Sequence, residues 1–445
     1  MTNGTIPPSL QPPRGVREIA ETLERAGFDT WCVGGAIRDA LLGHPHLDWD
    51  FATAATPPQV QSLFRKTVPV GIDHGTVGVR DRYGVLHEVT TFRRDVQTDG
   101  RHAVVEFGAS LEEDLARRDF TINAMAYSPT RHELRDPFGG RDDLAQRILR
   151  AVGVPDERMR EDRLRALRAL RFAGRFGLEI EPATWKAIQT SAPFLTRLSH
   201  ERVKQELEKT MQQLACPSRS LLLWRSSGAL DVLLPDLAEQ DDLPLLAPDF
   251  VGRPDGTTRR ERASLRHLVR LAVCFMGLEP VKAATLLKGL RCANRDVDAI
   301  SHLAAWRRDL EPQIRESLGA NSRPPDAVLR RWASVTGRTD LPLLLRSLAA
   351  RWAAERVRGT GTISAREVGS LYRRALRVAY RDPVGLSDLA IHGGDLLGMG
   401  IAPGPRLGEI LRILLDRVLE EPAANTRDRL LGWAAELSAQ RLPLV

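Results

Sequence analysis

The stretch from Trp31 to Thr53 constrains this chain more than any other, because it joins a glycine pair, a short amphipathic helix and two aspartates. Gly34 and Gly35 follow an apolar run, and glycine lets backbone N–H groups approach a ligand without a Cβ in the way. The next residues, AIRDALLG, have the periodicity of a helix that Gly43 would end. A glycine turn that opens a helix favours phosphate, since unpaired N–H groups and the helix dipole both attract anions.

Two aspartates close this stretch in the sequence LDWDF, which alternates as a strand does. Side chains two apart on a strand share a face, so Asp48 and Asp50 are expected to point the same way. Neighbouring carboxylates repel each other, and a shared hard cation is their natural occupant. Each half of the stretch alone also fits a plain turn or a solvated strand edge. Together, and in this order, they indicate a nucleoside triphosphate held over metal ions.

Composition adds few limits. The 445 residues are enough for several domains, and the 42% apolar and 27% charged fractions are those of a globular protein. Lys and Arg outnumber Asp and Glu by 64 to 57, and the formal charge of +7 is compatible with a polyanionic partner. Four cysteines without CxxC spacing predict no disulfide and a reducing cytoplasm. No apolar run reaches the roughly 18 residues of a membrane span.

Strand and helix signals alternate as far as about residue 150, and helical signals alone follow. This order predicts an α+β unit followed by a helical region. The expected strands are 77–79, 85–91 and 104–107, and the expected helices of the first part are 16–26, 58–64 and 116–125. Later helices are expected at 161–176, 181–192, 199–213, 218–226, 262–276 and 280–290.

Glu88 lies in one of these strands, where Leu86, Glu88 and Thr90 would share a face. A third carboxylate beside Asp48 and Asp50 would complete a two-metal site for phosphoryl transfer. The spacing fits an ordinary exposed strand glutamate equally well.

The run RRDFTINAMAY, residues 117–127, predicts a helix that Asp119 caps, with Asn123 one turn later on the same side. Arg118, Asp119 and Asn123 could grip a ribose and its phosphates from that helix end. By itself the run also fits a capped helix with a surface arginine pair. The glycine pair in DPFGGRDDL, residues 136–144, would be a connector or a hinge.

The run REDRLRALR, residues 160–168, places Asp162 and Arg165 about one turn apart on a predicted helix, with Arg168 on the same stripe. A carboxylate only accepts hydrogen bonds and a guanidinium only donates them. Cytosine and adenine each present an exocyclic amine beside an unprotonated ring nitrogen, which this pair complements, whereas uracil and guanine present the reverse. An isolated EDxxR would also fit a surface ion pair.

Taken together, these runs resemble the class II tRNA nucleotidyltransferases, the CCA-adding enzymes of the bacterial poly(A) polymerase family. The resemblance covers residues 16–435 and includes SHERVKQELEKTM and the C-terminal DLAIHGGDLLGMGIAPGPRLGEIL. It implies an α+β, polymerase-β-like head with a mixed sheet, followed by an all-helical neck, body and tail. The expected limits are a flexible leader over 1–14, the head over 15–150, the neck over 151–215, the body over 216–325 and the tail over 326–445.

The resemblance also implies an activity, the template-independent addition of CCA to tRNA 3′ ends from CTP and ATP with release of pyrophosphate. Asp48 and Asp50 would bind two Mg²⁺ ions, with Glu88 as a candidate third ligand. The tRNA would be held by its acceptor end and elbow. The other implied roles are phosphate binding for Gly34, Gly35 and Arg38, ribose binding for Arg118, Asp119 and Asn123, and base choice for Asp162, Arg165 and Arg168.

Three segments distinguish this chain within that pattern. Residues 270–295 stand where many relatives carry an HD phosphohydrolase motif, and they lack the His-Asp pair, so hydrolase activity is not expected. Residues 67–77 resemble the CCA-enzyme version of their segment and lack the basic run of poly(A) polymerases. The segment 93–101 resembles the flexible loop that CC-only enzymes have lost, which implies a switch to ATP; its charged residues are Arg93, Arg94, Asp99 and Arg101.

The alternatives within this class are an A-adding-only enzyme and a poly(A) polymerase. From another class, the chain could be an inactive RNA-binding module that kept the fold. The sequence does not indicate an oligomeric state.

Overall fold

The computed structural model describes residues 10–44, 48–98, 103–252, 258–319 and 323–439. The chain divides into two compact units, Met1–Pro235 and Asp236–Val445. In the described residues every strand lies in the first unit, and the second unit is helical. This confirms a mixed-sheet head followed by a helical region.

The head is built on a sheet whose central strands are short and apolar. The strands of this sheet are β1 (Thr30–Val33), β2 (Asp50–Thr53), β3 (Thr67–Gly71), β4 (Thr76–Arg80), β5 (Leu86–Thr91), β8 (Ala126–Ser128) and β9 (Glu133–Arg135). Two further strands, β6 (Arg93–Thr98) and β7 (Ala103–Phe107), form a separate two-stranded ribbon. Among the described residues the sheet has seven strands in the order β3-β4-β5-β2-β1-β8-β9. All of its pairs are antiparallel except β2 with β5.

The register of β1 and β2 positions the expected site. All four residues of β1 are buried, and Val33 is the partner of Asp50. Since Gly34 follows Val33 directly, the glycine turn and the carboxylate lie at the same edge of the sheet. The helices of the head, which flank this sheet, are α1 (Arg14–Arg25), α2 (Gly35–Leu41), α3 (Pro57–Leu63), α4 (Leu111–Ala116) and α5 (Gly140–Gln146).

The expected helix over 116–125 is wrong. α4 begins earlier, at a capping box formed by Ser110 and Glu113, and it ends at Ala116. A single 3₁₀ turn, Thr121–Asn123, follows. The reason is a backbone pairing with residues 150–152, in which Thr121 N donates to Arg150 O and Val152 N donates to Asp119 O. That pairing occupies the groups a continuing helix would use.

Two further predictions concern segments of the head. Part of the expected flexible loop is strand β6, which pairs antiparallel with β7 and is supported by an ion pair of 2.9 Å between Arg94 and Glu106. Asp99 and Arg101, from the same expected loop, lie outside the described residues. Of the described residues in the expected leader, Leu10 is buried and Arg14 begins α1.

After the head, α6 (Pro155–Glu161) and α7 (Leu164–Phe176) are separate helices, so the expected continuous helix over 161–176 is wrong. A two-residue strand, β11 (Glu179–Ile180), pairs in parallel with β10 (Ile148–Leu149) where only helices were expected. The other helices of the first unit agree with expectation to within a few residues. They are α8 (Pro182–Ser191), α9 (His200–Gln213) and α10 (Ser218–Ser226), and a short helix that was not expected, α11 (Ala229–Leu233), follows them.

The second unit is a packed array of helices. The core of its first half is polar as well as apolar, since the buried Trp352 Nε1 donates to Glu311 Oε1 at 2.8 Å and Arg351 Nη1 donates to Val273 O at 3.2 Å. None of the described helices is long and apolar enough to cross a membrane. The helices from the start of the unit are α12 (Pro235–Ala238), α13 (Leu243–Leu246), α14 (Arg259–Phe275), α15 (Pro280–Gly289), α16 (Asn294–Gly319), α17 (Asp326–Thr336), α18 (Asp340–Val357), α19 (Ala365–Arg381), α20 (Gly393–Gly398), α21 (Pro405–Glu420) and α22 (Arg427–Ala439).

The four cysteines are all in the described residues and none forms a disulfide. Cys32 on β1 and Cys274 on α14 are buried, whereas Cys216 and Cys292 are half-buried. The absence of disulfides agrees with the expectation from their spacing.

Candidate active site

The glycine turn ends β1 and opens α2. Gly34 has φ 77° and ψ −135°, a backbone conformation that favours glycine. A Cβ on Gly34 would lie 3.2 Å from Arg118 Nη1, and one on Gly35 would lie 3.3 Å from Arg38 Nη2. Two guanidinium groups therefore converge on the turn from which the first N–H groups of α2 are presented.

The carboxylate pair lies beside this turn. Trp49 is buried while Asp48 is exposed and Asp50 half-buried, which is the alternation the sequence predicts. Burial, together with the negative charges of Asp48 and Glu88, raises the pKa of Asp50 to about 7, and the positive charge of Arg118 opposes that rise. The pair is therefore a place where a further positive charge would lower the free energy of the folded protein.

The donor chemistry of this pair fits a hard divalent cation, which prefers carboxylate oxygens. No group of three His, Cys, Asp or Glu side chains in the described part of the chain is arranged to hold a metal ion. The assignment of a metal ion to Asp48 and Asp50 stays a prediction. Glu88, which is exposed on β5, acts electrostatically on Asp50, and its role as a third ligand stays a prediction.

Asp119 is the most heavily hydrogen-bonded of the predicted site residues. Its Oδ2 accepts from Arg168 Nε at 2.9 Å and Nη2 at 2.7 Å, and its Oδ1 accepts from Asn123 Nδ2 at 2.9 Å. Burial opposes ionisation of this carboxyl, but Arg168 and Asn123 outweigh burial and lower the pKa of Asp119 to about 2. The sequence had predicted that Asp119 caps a helix. This is wrong, because no α-helix begins there.

Arg38 continues this network into α2. Its Nη1 donates to Asn123 Oδ1 at 2.5 Å, and its guanidinium lies over the rings of Phe172 at 5.0 Å and Phe176 at 4.5 Å. The side chains Arg38, Asn123, Asp119 and Arg168 therefore form one continuous network, here called the Arg38–Arg168 network, from α2 to α7. Phosphate and ribose binding by its members stays a prediction.

Arg118 has donor capacity to spare. Its Nη2 donates to Asp114 Oδ2 at 3.1 Å, and its Nη1 makes a long contact of 3.4 Å with Asn123 O. Its buried Nε has no hydrogen-bond partner among the residues that the structure describes. A buried donor without a partner costs free energy, so an anionic ligand would relieve it.

The two residues expected to choose the base are held by different partners. Asp162, in the break between α6 and α7, accepts from Leu164 N at 3.0 Å and from Arg202 Nη2 at 2.7 Å. Arg165 Nη1 donates to Glu161 Oε2 at 2.6 Å, and Arg165 Nη2 donates to Arg117 O at 2.9 Å. The two side chains are therefore fixed by different partners, and the two residues are joined to each other through the backbone, where Arg165 N donates to Asp162 O at 3.0 Å.

One cavity of about 470 Å³ brings most of the predicted residues together. Ligand pockets have volumes of about 300–1,000 Å³, so it is large enough for a nucleotide. Asp48 and Arg94 are not among its lining residues. The predicted residues that line it are Gly34, Gly35, Arg38, Asp50, Glu88, Arg93, Arg118, Asp119, Asn123, Asp162, Arg165 and Arg168.

Sequence reasoning missed three residues at or beside this cavity. Phe172 and Arg117 line it, and Arg202 holds Asp162. Phe172 is a helical apolar residue like its neighbours, and Arg202 is 40 residues from its partner. Nothing in the sequence pattern near either residue indicates these contacts.

Comparison with known proteins matches family models to three parts of the chain. The family model described as the poly A polymerase head domain matches residues 30–150, and one described as a probable RNA and SrmB binding site of polymerase A matches residues 177–241. A model for the second domain of tRNA nucleotidyltransferases matches residues 343–434. A CCA-adding enzyme of Limosilactobacillus fermentum is 33% identical over 438 residues, which are 97% of this chain and 98% of that protein.

Two solved structures resemble the whole chain. The CCA-adding enzyme of Bacillus stearothermophilus in complex with CTP is 31% identical, with a TM-score of 0.74 over 98% of this chain and 99% of that one. The CCA-adding enzyme of Thermotoga maritima complexed with tRNA is 21% identical, with a TM-score of 0.68 over 96% of this chain and 97% of that one. The second likeness concerns the fold alone.

Proposed function

We propose a function from one premise, which is that this chain belongs to the family of CCA-adding enzymes. It adds C, C and A to the 3′ ends of tRNA, taking CMP from CTP and AMP from ATP and releasing pyrophosphate. The observation that carries this proposal is a cavity lined by the glycine turn, by Asp50 and by both residues proposed to choose the base. These substrates place the proposed activity in the cytoplasm.

The triphosphate is proposed to lie on the glycine turn. The N–H groups at the start of α2 point there, and both Arg38 and Arg118 lie within reach of the turn. Arg118 Nε, which is buried and unpaired among the described residues, supports this assignment because a phosphate oxygen would accept its hydrogen bond. Asp119 and Asn123, which also line the cavity, are proposed to contact the ribose.

Proteins of this family use divalent metal ions, and we assign Mg²⁺ to Asp48 and Asp50. When bound there, Mg²⁺ would activate the terminal 3′-hydroxyl of the tRNA and neutralise charge on the phosphates. The role of the protein is mainly to position the hydroxyl, the α-phosphate and the leaving pyrophosphate in line. Arg118 adds fixed positive charge that acts on Asp50.

Asp162 and Arg165 are proposed to choose the base. The carboxylate accepts from the exocyclic amine of cytosine or adenine, while the guanidinium donates to the neighbouring ring nitrogen. Uracil and guanine would bring a carbonyl to the carboxylate and an N–H to the guanidinium, leaving buried polar groups unpaired. Such unpaired groups are the strongest basis for rejecting a substrate.

The proposal is tested by offering the purified protein three tRNAs, which end at the discriminator base, at the first C and at the second C. Full CCA addition predicts that all three are completed when CTP and ATP are present. An A-adding-only enzyme would extend only the last of them, and a poly(A) polymerase would add A to all three without stopping. Absence of any incorporation would refute the proposal, and tRNA binding in a gel-shift assay would then indicate an inactive RNA-binding protein.

A further inference from the structure

A second cavity lies wholly within the second unit, where residues of α14, α18 and α19 line it; it is here called the second-unit pocket. Its volume is about 330 Å³, and pockets for small molecules have volumes of about 300–1,000 Å³. The cavity of the proposed active site is lined only by residues of the first unit. The two cavities therefore share no residue.

Three guanidinium groups line the second-unit pocket, from Arg266 on α14 and from Arg346 and Arg356 on α18. Among the described residues, no carboxylate lines it. Like charges that face one cavity repel each other, and a partly enclosed cavity screens this repulsion less than bulk water does. A negatively charged ligand in the pocket would therefore lower the free energy of the folded protein.

Two of these guanidinium groups are held by neutral partners. Arg346 Nε donates to Tyr372 Oη at 2.8 Å, and the Arg346 guanidinium lies 4.9 Å from the centre of the Tyr372 ring. Arg356 Nη1 donates to Ile363 O at 2.6 Å. These partners fix the two side chains without neutralising their charge. Side chains that are fixed in advance lose less conformational entropy when a ligand binds.

Arg266 is the arginine of this pocket that most needs a ligand. Its side chain is half-buried, and its Nε is buried without a hydrogen-bond partner among the residues that the structure describes. A buried donor without a partner costs free energy. A guanidinium matches phosphate in particular, because it can donate two parallel hydrogen bonds to phosphate oxygens. Since the Nε is buried, an acceptor for it has to enter the pocket.

Apolar side chains also line the second-unit pocket. They include Phe250, Ala349 and Ala353, together with Val368 on α19. Inorganic phosphate would use only the guanidinium groups. A ligand that carries a planar ring beside its phosphates would contact the apolar side chains as well, and their burial would add to its affinity.

We propose that the second-unit pocket binds a free nucleotide, with its phosphates on Arg266, Arg346 and Arg356 and its base against the apolar side chains. A free nucleotide fits better than an RNA chain, because the three arginines line one cavity of the size of a single small ligand. The inference does not rest on the proposed activity, since the pocket contains no residue of the proposed active site.

The test measures ADP binding to the full-length protein by hydrogen–deuterium exchange, in the wild type and in Arg266→Ala. Peptides from α14 and α19 report on the second-unit pocket, and peptides from α2 report separately on the active-site cavity. Arg373→Ala is the matched control, because Arg373 is exposed on α19 and does not line the pocket. If Arg266→Ala melts at a much lower temperature than the wild type, Arg266→Gln gives the same comparison in a folded protein.

We expect ADP to slow exchange in α14 and α19 of the wild type and of Arg373→Ala. In Arg266→Ala the ADP concentration that gives half of this protection should rise by at least about tenfold, because a charged hydrogen bond to phosphate is lost. Half-protection of α2 should need the same ADP concentration in all three proteins. Absence of protection in α14 and α19, or an equal response of Arg266→Ala and the wild type, would overturn the inference.

Two further titrations identify the ligand. Inorganic pyrophosphate, which has no ring, should need a higher concentration than ADP to protect α14 and α19, and equal affinities would overturn the assignment of a nucleotide. The ADP titration is then repeated with tRNA present. The concentration for half-protection of α14 and α19 should stay the same, and a rise in proportion to the tRNA concentration would show that RNA occupies the pocket and that the inference is wrong.

Discussion

Asp119 joins two parts of the proposed site, since it binds Arg168 on α7 and Asn123 in the head. Asn123 in turn accepts from Arg38, which lies beside the glycine turn. A change at one end of the Arg38–Arg168 network is therefore transmitted through direct hydrogen bonds to the other. The proposed ribose residues consequently have a second role, which is to hold the head against α7.

The ionisation of Asp119 should make stability depend on pH. Its pKa is about 2 in the folded protein, below the ordinary value of 3.8, so its contribution is present above about pH 4 and is lost as pH falls toward 2. The contribution is about 2 kcal/mol, of which about 1 kcal/mol should be lost by pH 3. Urea unfolding at pH 3 to 6 should show a shallower pH dependence for Asp119→Asn than for the wild type.

The control for that experiment is Asp298→Asn, at an exposed position on α16. Its unfolding curves should follow the wild type at every pH. If the free energy of unfolding changed equally with pH in the wild type and in Asp119→Asn, the assignment of the low pKa to Asp119 would be wrong.

Loss of either aspartate of the carboxylate pair should abolish nucleotide addition. Asp48→Ala or Asp50→Ala removes a ligand proposed for Mg²⁺, so incorporation of labelled CMP should fall by at least about a thousandfold. Binding of tRNA should persist, since it depends on other surfaces. Gel-shift and incorporation assays on the same preparations separate the two effects, and incorporation at the normal rate would refute the metal assignment.

Arg165→Ala should weaken the discrimination between nucleotides. The guanidinium is proposed to donate to the ring nitrogen of cytosine or adenine, so its loss should bring UTP and GTP closer to CTP and ATP in kcat/KM by about tenfold or more. Steady-state incorporation of each nucleotide measures this. Undiminished rejection of UTP and GTP would show that another group reads the base.

At the scale of the elements, the glycine at the start of α5 allows close packing against a neighbouring turn. From the sequence, the segment containing Gly139 and Gly140 could be either a simple connector or a hinge. Gly140 begins α5, and a Cβ there would lie 2.3 Å from Thr121 O and 2.8 Å from Thr121 C. Because Thr121 belongs to the turn that carries Asn123, this close contact sets the position of the site from behind.

Gly140→Ala should therefore destabilise the first unit by about 2 kcal/mol, since the neighbouring atoms are backbone and can yield only by moving the turn. Differential scanning calorimetry measures the loss. Gly139→Ala is the control, because a Cβ at Gly139 meets nothing within 4 Å and only its φ of 73° is unfavourable, at about 1 kcal/mol. Equal losses from the two substitutions would contradict the packing argument.

The sequence pattern correctly predicted those elements that depend only on residues close together in the chain. The glycine turn, the alternation at Asp48 and Asp50, and most helix limits follow from residue type and spacing. The break at Asp162 does not, because the residues around it have uninterrupted helical periodicity. At that break the Asp162 carboxylate accepts from Arg202 of another helix, and the residues of the expected helix over 116–125 pair through their backbone with residues 150–152. Neither contact can be read from the pattern of neighbouring residues.

On the scale of the whole molecule, the positive charge bears on binding of a polyanion. The formal net charge is +7, and binding that neutralises phosphates weakens as salt displaces the released counterions. The affinity for tRNA should fall by at least about tenfold between 50 and 200 mM KCl. Fluorescence anisotropy with labelled tRNA measures the slope, and an affinity independent of salt would contradict an electrostatic interface.

The distribution of cysteines has a practical consequence for the two compact units. Burial raises the pKa of the Cys32 thiol and raises that of Cys274 to about 12, so neither should react readily with maleimides at neutral pH. Cys216 and Cys292 are more accessible, and one lies in each unit. Donor and acceptor dyes on this natural pair would report the distance between the units during each successive nucleotide addition, without any engineered cysteine.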